Sequence, residues 1–459
     1  MIKTICAISL LLICFLIFVL GKKMYNGDLL SPISFFSLYY TLTRIPRFLM
    51  ADKNLYSKTM ITDQMRIRFT LISALFIISV FFGVIFFTSR KIKIRINSHR
   101  NSQTAIVKNT EINIDILFRV GLFCFFLGAV SRGILIVRAG GIRYIWSNLS
   151  NRVSMLSGSG YLDYLSVCMT FGIAAVEICF LNTRRYKAAF IILTIAGAAL
   201  NSAFGARAPL MKMMIALLFV AWYCSPREIN ILKYLKPRYV LIAIVLGLIL
   251  IALPTFRSAN FRVTASVFSM AMKDAAKNFI SIFDQISYVD EDIFTFDYFS
   301  SHQHWLGRNY QDLLTAWIPR SLFPSKPPID DGMYLRALMK GYDVVPSMSV
   351  ESLKRISVTS SVPFTTCGIM YANFGILGVL FGGLITGRIL AGQYKAMQTK
   401  EYMLAEVLVY QVLCTRLALT TKGIVELLMT LIIVKVICGI VYKLSGVNRI
   451  VFDYEENES

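Results

Sequence analysis

Long apolar runs, separated by short polar ones, set the pattern of this chain. Eleven stretches (4–20, 29–46, 69–88, 114–137, 160–181, 188–204, 206–224, 239–256, 364–388, 403–420 and 423–442) stay apolar over roughly the length that crosses a ~30 Å hydrocarbon core at 1.5 Å rise per residue. Long alternating apolar and polar strands, the mark of a barrel, are missing. The pattern therefore predicts an all-α fold, a polytopic helical bundle of about eleven transmembrane helices. The second run is the weakest of the set, because Pro32 and Pro46 interrupt it. The first resembles a secretory leader, but it lacks a small-residue cleavage pattern and Lys22-Lys23 follows like a stop. It is read as a retained span.

One long polar interval breaks the series, between residues 256 and 363. It divides the chain into about eight N-terminal spans (1–256), a large loop (257–363), about three C-terminal spans (364–442) and a tail (443–459). Inside it, Phe268, Met272, Ala275, Phe279, Ile282 and Ile286 recur at helical steps, an apolar stripe on one helix face. An aromatic and acidic stretch follows at Tyr288–Tyr298. The pattern then predicts a short helix over 310–318, halted by Pro319, and extended backbone at Pro324, Pro327 and Pro328. A compact cap fits this sequence better than a flexible linker.

Composition sharpens the class. The chain is 56% hydrophobic and 16% charged, with a mean hydropathy of +0.62, which excludes a string of soluble domains. The net charge of +22 is scattered over short loops, so a nucleic-acid partner is not indicated. Basic loops at 89–113, 182–187 and 225–238, with Lys395 and Lys400, fall on one side of an eleven-span alternation, and that side is expected to be cytoplasmic. The polar interval then faces outward, and the acidic tail (Asp453, Glu455, Glu456, Glu458) faces in. Residues 47–68 disagree. They should lie outside yet carry Arg47, Lys53, Lys58, Arg66 and Arg68. The nine cysteines sit in apolar runs or at span ends with no C-x-x-C, so neither a disulfide framework nor a zinc site is expected.

Candidate chemistry is concentrated at the outer ends of the spans. Arg132 and Arg138, Arg207 and Lys212, Arg257 and Arg262, and Arg416 and Lys422 place basic charge there against the usual bias. An unpaired Arg at mid-bilayer costs about 2.5–3.5 kcal/mol on insertion scales, so the set points either to snorkelling side chains or to an outward-facing anion pocket. Gly205-Ala206-Arg207 reads as a tight turn between two spans, and Pro319-Arg320 with Lys326 puts two cations on a stiffened segment. Guanidinium forks bind phosphate oxygens bidentately, so a pyrophosphate attached to a lipid would suit such a pocket. His302 and His304 have no third ligand at metal spacing. Either is a surface residue or a proton carrier. Asp290-Glu291-Asp292 is the densest acidic cluster, either solvated loop acids or a second source of a base, Asp290 or Asp292. Phosphate-cradling glycine loops of soluble NTPases, G-x-S-x-G and H-E-x-x-H are absent, which leaves nucleotide-driven chemistry without a motif. No cofactor and no metal are expected.

These residues carry a resemblance. The G-x-R turn at Gly205–Arg207, the arginine after the next span at Arg257, P-R-x-L-F-P-x-K-P at Pro319–Pro327, and Tyr-x-Asn-Phe-Gly-x-x-Gly at Tyr371–Gly378 come in order. Together they resemble the O-antigen polymerases, the Wzy-type oligosaccharide repeat-unit polymerases of the bacterial inner membrane. The resemblance implies a GT-C-like glycosyltransferase with a periplasmic cap and a cytoplasmic C-terminus, in which Arg207, Arg257, Arg320, Lys326 and Arg416 would hold the pyrophosphate and His304, Asp290 or Asp292 would be the base. Its substrates would be undecaprenyl-pyrophosphate-linked oligosaccharides in the membrane lipid, with a chain-length regulator as a further partner. An O-antigen ligase and a lipid-linked oligosaccharide flippase are the alternatives.

Overall fold

A computed structural model describes residues 2–87, 114–148, 160–205, 207–225, 269, 286–318, 322–358, 360–399 and 404–445. The described residues form helices and no strands. In chain order the helices are α1 (Ile2–Met24), α2 (Pro32–Met50), α3 (Asp63–Phe87), α4 (Ile114–Arg138), α5 (Gly141–Ser147), α6 (Gly160–Leu165), α7 (Val167–Thr183), α8 (Lys187–Ser202) and α9 (Arg207–Cys224). They continue with α10 (Val289–Tyr298), a 3-10 turn (Arg308–Gln311), α11 (Asp312–Ala316), α12 (Gly332–Met339), α13 (Val350–Arg355), α14 (Thr366–Thr399), α15 (Leu404–Arg416) and α16 (Thr421–Ser445). Five helical segments are long and apolar enough to cross a membrane: Ile2–Met24, Asp63–Phe86, Ile114–Arg138, Leu162–Thr183 and Thr366–Thr399. α8 and residues Pro209–Cys224 of α9 are shorter apolar helices. The chain is a multi-pass helical membrane protein. The expected span at 239–256 and the apolar stripe from Phe268 to Ile282 lie outside the described residues.

The helices divide into two compact units that do not follow chain order. One unit gathers 1–96, 283–395 and 416–428; the other gathers 97–282, 396–415 and 429–459. In the first unit, α1 packs on α2 and α3. Its inner stripe is Cys6, Leu10, Cys14, Ile17 and Gly21, one buried residue per turn. The opposite face exposes Ile5, Ile8, Leu12 and Phe15. A helix apolar on every side belongs in lipid. α3 crosses α14 at backbone range: a Cβ on Gly83 would lie 2.4 Å from the Leu384 carbonyl oxygen, and one on Gly387 2.2 Å from that of Val80. Gly383 and Gly387, four residues apart, thus form the small-residue seam that lets membrane helices approach closely.

The second run proves helical despite its prolines. Pro32 sits at the start of α2, where its missing amide costs nothing, and Pro46 lies inside the last turns before Met50. In the other unit, α4 packs on α7, with Gly121, Gly128 and Gly172 at the contact. The turn at Gly205, at φ +63°, joins α8 to α9 with Arg207 as the first residue of α9. The eight cysteines described there and elsewhere are free, and all but Cys414 are buried.

Candidate functional site

The described part of the polar interval, 286–363, folds onto the helix ends of the first unit as a lobe of short helices. Its core is aromatic: Trp305 meets Phe299, Tyr334 and Phe364 edge-on. What ties the lobe down is charge. Asp290, Glu291 and Asp292 occupy the first turn of α10 and are all buried. The expectation of solvated loop acids is therefore corrected, and the physical reason is pairing. Arg47 donates to both oxygens of Asp290, at 2.7 and 2.8 Å, and the Leu55 amide adds a third bond at 2.9 Å. Asn54 donates to the Asp290 main-chain carbonyl at 2.7 Å. Arg44 pairs with Asp292, and the Thr365 hydroxyl donates to the other oxygen at 2.6 Å. Outside this centre, Arg68 bonds Asp297 at 2.8 Å and Arg66 reaches the Ala51 carbonyl at 2.7 Å.

Three of the basic residues in the loop that disagreed with the charge bias, Arg47, Arg66 and Arg68, thus hold acids and carbonyls of the same unit. The reasoning from sequence missed Arg44 altogether. A signal was present: four arginines at 44–68 equal the acids of 290–297 in number and oppose them in sign.

Between the two ion pairs, Glu291 faces Tyr56. Burial pushes its carboxyl up to about 8 from an ordinary value of 4.5, with the Asp290 and Asp292 charges adding to the rise. Burial also raises Asp292, against the pull of Arg44 and Thr365. Asp331 sits on the first turn of α16. Its oxygens accept from the Thr421 amide at 2.6 Å and the Thr421 hydroxyl at 3.0 Å, and Asn309 donates to it at 3.2 Å. Burial lifts it to about 7. A carboxylate at a helix N-terminus satisfies an orphan amide and meets the positive end of the dipole, which opposes that rise.

His304 lies where α14 breaks. Gly375 adopts φ +61°, ψ −143°, a conformation open to glycine and strained for other residues, and it divides this helix of 34 residues in two. The break deprives the Ala372 and Asn373 carbonyls of their helical donors. The amides of Trp305 (2.9 Å) and Leu306 (3.0 Å) replace them, and Gly307 donates to the Asn373 side chain at 2.8 Å. The His304 ring lies parallel to Phe299 and edge-on to Tyr371, with a Cβ on Gly375 only 3.1 Å from its Nε2. Its Nδ1 is buried without a hydrogen-bond partner. Gly375 makes the break, and Gly378 lets the chain pass the Met370 carbonyl, 2.1 Å from where its Cβ would be. His302 is exposed, stacked on Tyr298.

The candidate cations fare unevenly. The Lys326 amine is buried and donates to the Ala316 and Ile318 carbonyls at 2.7 and 2.8 Å, closing the C-terminus of α11. Arg416 is the half-buried last residue of α15. Arg207 opens α9. Arg257 and Arg320 lie outside the described residues. Of the other basic residues at span ends, Arg132 pairs with Asp163 at 2.6 Å and Lys422 with Asp330 at 2.8 Å. Among the described residues, no three His, Cys, Asp or Glu side chains gather as a metal site would need. Comparison with known proteins adds no name: no family model, curated protein or solved structure matches this chain.

Proposed function

We propose that this protein is a membrane glycosyltransferase that polymerises undecaprenyl-pyrophosphate-linked O-antigen repeat units at the periplasmic face of the inner membrane. The observation that supports the reading best is a half-buried histidine, His304, beside a broken membrane helix, within a lobe anchored by buried ion pairs. Such a site is rigid, partly dehydrated and next to lipid, as a reaction between two lipid-borne substrates requires. Asp290 and Asp292 are held by arginines, so His304 is the better base.

In this scheme a His304 ring nitrogen takes the proton of an acceptor hydroxyl. The hydroxyl oxygen attacks the anomeric carbon of the growing glycan, and the bond from that carbon to the pyrophosphate oxygen breaks. Undecaprenyl pyrophosphate leaves with the electron pair. The bond energy is already stored in the donor, so no nucleotide takes part. Arg207, Arg257, Arg320 and Arg416 remain the candidates for stabilising the departing charge, as the resemblance implies. Lys326 serves by holding the Ala316 and Ile318 carbonyls at the end of α11.

Deletion of the gene followed by gel analysis of lipopolysaccharide tests this. Loss of long ladders with a single repeat retained supports polymerisation. Loss of every repeat from the core overturns it in favour of a ligase or flippase.

A further inference from the structure

The stretch from Leu306 to Ile318 turns apolar side chains outward, which a water-facing lobe would bury. Two of its polar side chains point inward, while Arg308 and Gln311 are exposed. Asn309 is buried against Asp331 and Thr421, and Asp312 is buried under Tyr334 and Ser347. Ala316 completes that inner face. The exposed side carries Leu314 (81% exposed), Trp317 and Ile318 at positions i, i+3 and i+4, and Leu306 (72%) is exposed at the start of the stretch. Scattered exposed leucines are ordinary, but four large exposed apolar side chains within 13 residues, counting 306 to 318, are not.

Where this face sits is fixed by hydrogen bonds. The Tyr310 hydroxyl donates to the Leu419 carbonyl at 2.7 Å, and the Thr421 hydroxyl donates to the Asn309 carbonyl at 3.1 Å. Leu419 and Thr421 form the turn from which α16, read from sequence as a span, sets off. The backbone of Leu306 is bonded to the break in α14, a helix apolar and long enough to cross a membrane. The outward apolar face therefore starts at the mouth of the membrane helices. Tryptophan and leucine at that level, with the exposed Arg308 beside them, are the residue types that settle into the headgroup and upper acyl region.

We infer that residues 306–318 form an interfacial lipid-binding element: Leu306, Leu314, Trp317 and Ile318 insert into the bilayer surface and seat the lobe on it. The occupant is phospholipid acyl chain, and the inference is independent of the reaction proposed above. It also accounts for the buried Asn309 and Asp312, whose inward hydrogen bonds leave the apolar side chains free for lipid.

The test uses full-length protein in phospholipid nanodiscs. Cysteine is introduced at Leu314, and at the exposed polar Lys340 of the same lobe as control. Because both sites are exposed, neither variant is expected to disturb folding. A membrane-impermeant maleimide should label Leu314→Cys about tenfold more slowly than Lys340→Cys, the ratio that about 1.4 kcal/mol of protection gives. Detergent solubilisation should shrink that difference. A bimane attached at 314 should be quenched by brominated phospholipid, and one at 340 should not. Equal labelling at both sites in nanodiscs, or no quenching at 314, overturns the proposal.

Discussion

Removing the Arg47 side chain should loosen the lobe more than any exposed substitution can. Arg47→Met deletes two charge-assisted hydrogen bonds to Asp290 and leaves that carboxylate buried, with only the Leu55 amide still bonding its side chain. The two side chains are 8% and 1% exposed, so water cannot take over the lost contacts. Breaking one side of such a pair typically costs about 3–5 kcal/mol, whereas an exposed pair is worth about 0–1 kcal/mol. Asp290→Leu should be comparably harmful, because it leaves the guanidinium buried. The double variant should cost clearly less than the sum, with a coupling of about 2 kcal/mol or more, since both stranded charges are then gone. Pulse proteolysis of the purified protein across a temperature series reads this out as a change in the protection of the lobe. Single variants within about 1 kcal/mol of the parent, or a strictly additive double variant, would refute the view that this ion pair anchors the lobe.

Further outcomes are expected. Glu291 has a folded pKa raised to about 8, so its contribution to stability is complete below its ordinary value of 4.5 and is lost as pH rises through about 8. Glu291→Gln should therefore flatten the fall of stability over that window, by about 1.4 kcal/mol per pH unit at most; an unchanged pH profile of unfolding counts against a buried neutral acid. Gly375→Ala should destabilise by about 1–3 kcal/mol, because φ is +61° there and the new Cβ would press on His304; an unaltered melting temperature would contradict the break in α14. Arg207→Ala and Arg257→Ala should each abolish the lipopolysaccharide ladder at normal protein level while Arg90→Ala leaves it. An intact ladder in both outer variants would remove the pyrophosphate assignment.

The spanning helices were largely legible because lipid imposes one composition on a whole helix, so α1, α3, α4, α7 and α14 can be read without knowing their neighbours. Long-range pairing was not legible. Arg47 and Asp290 are 243 residues apart, and locally the acids look like a solvated cluster and the arginine like an anomaly of topology. Burial of a charge depends on a partner that no window of sequence contains. The tyrosine–asparagine–glycine stretch at 371–375 stood out, but periodicity alone does not distinguish a glycine that packs from one that breaks its helix. The backbone angle at Gly375 decides it. The outward apolar side of 306–318 was hidden for the same reason, since which face points inward is set by Asp331, Thr421, Tyr334 and Ser347.

Reconstitution gives the most direct test of polymerisation. Purified protein in lipid vesicles would be supplied with one undecaprenyl-pyrophosphate-linked repeat unit and no nucleotide. The account predicts a ladder of lengthening lipid-linked glycans with release of undecaprenyl pyrophosphate, and loss of that ladder in His304→Ala. Repeat units that cross the bilayer or stay unchanged, without any lengthening, would contradict it.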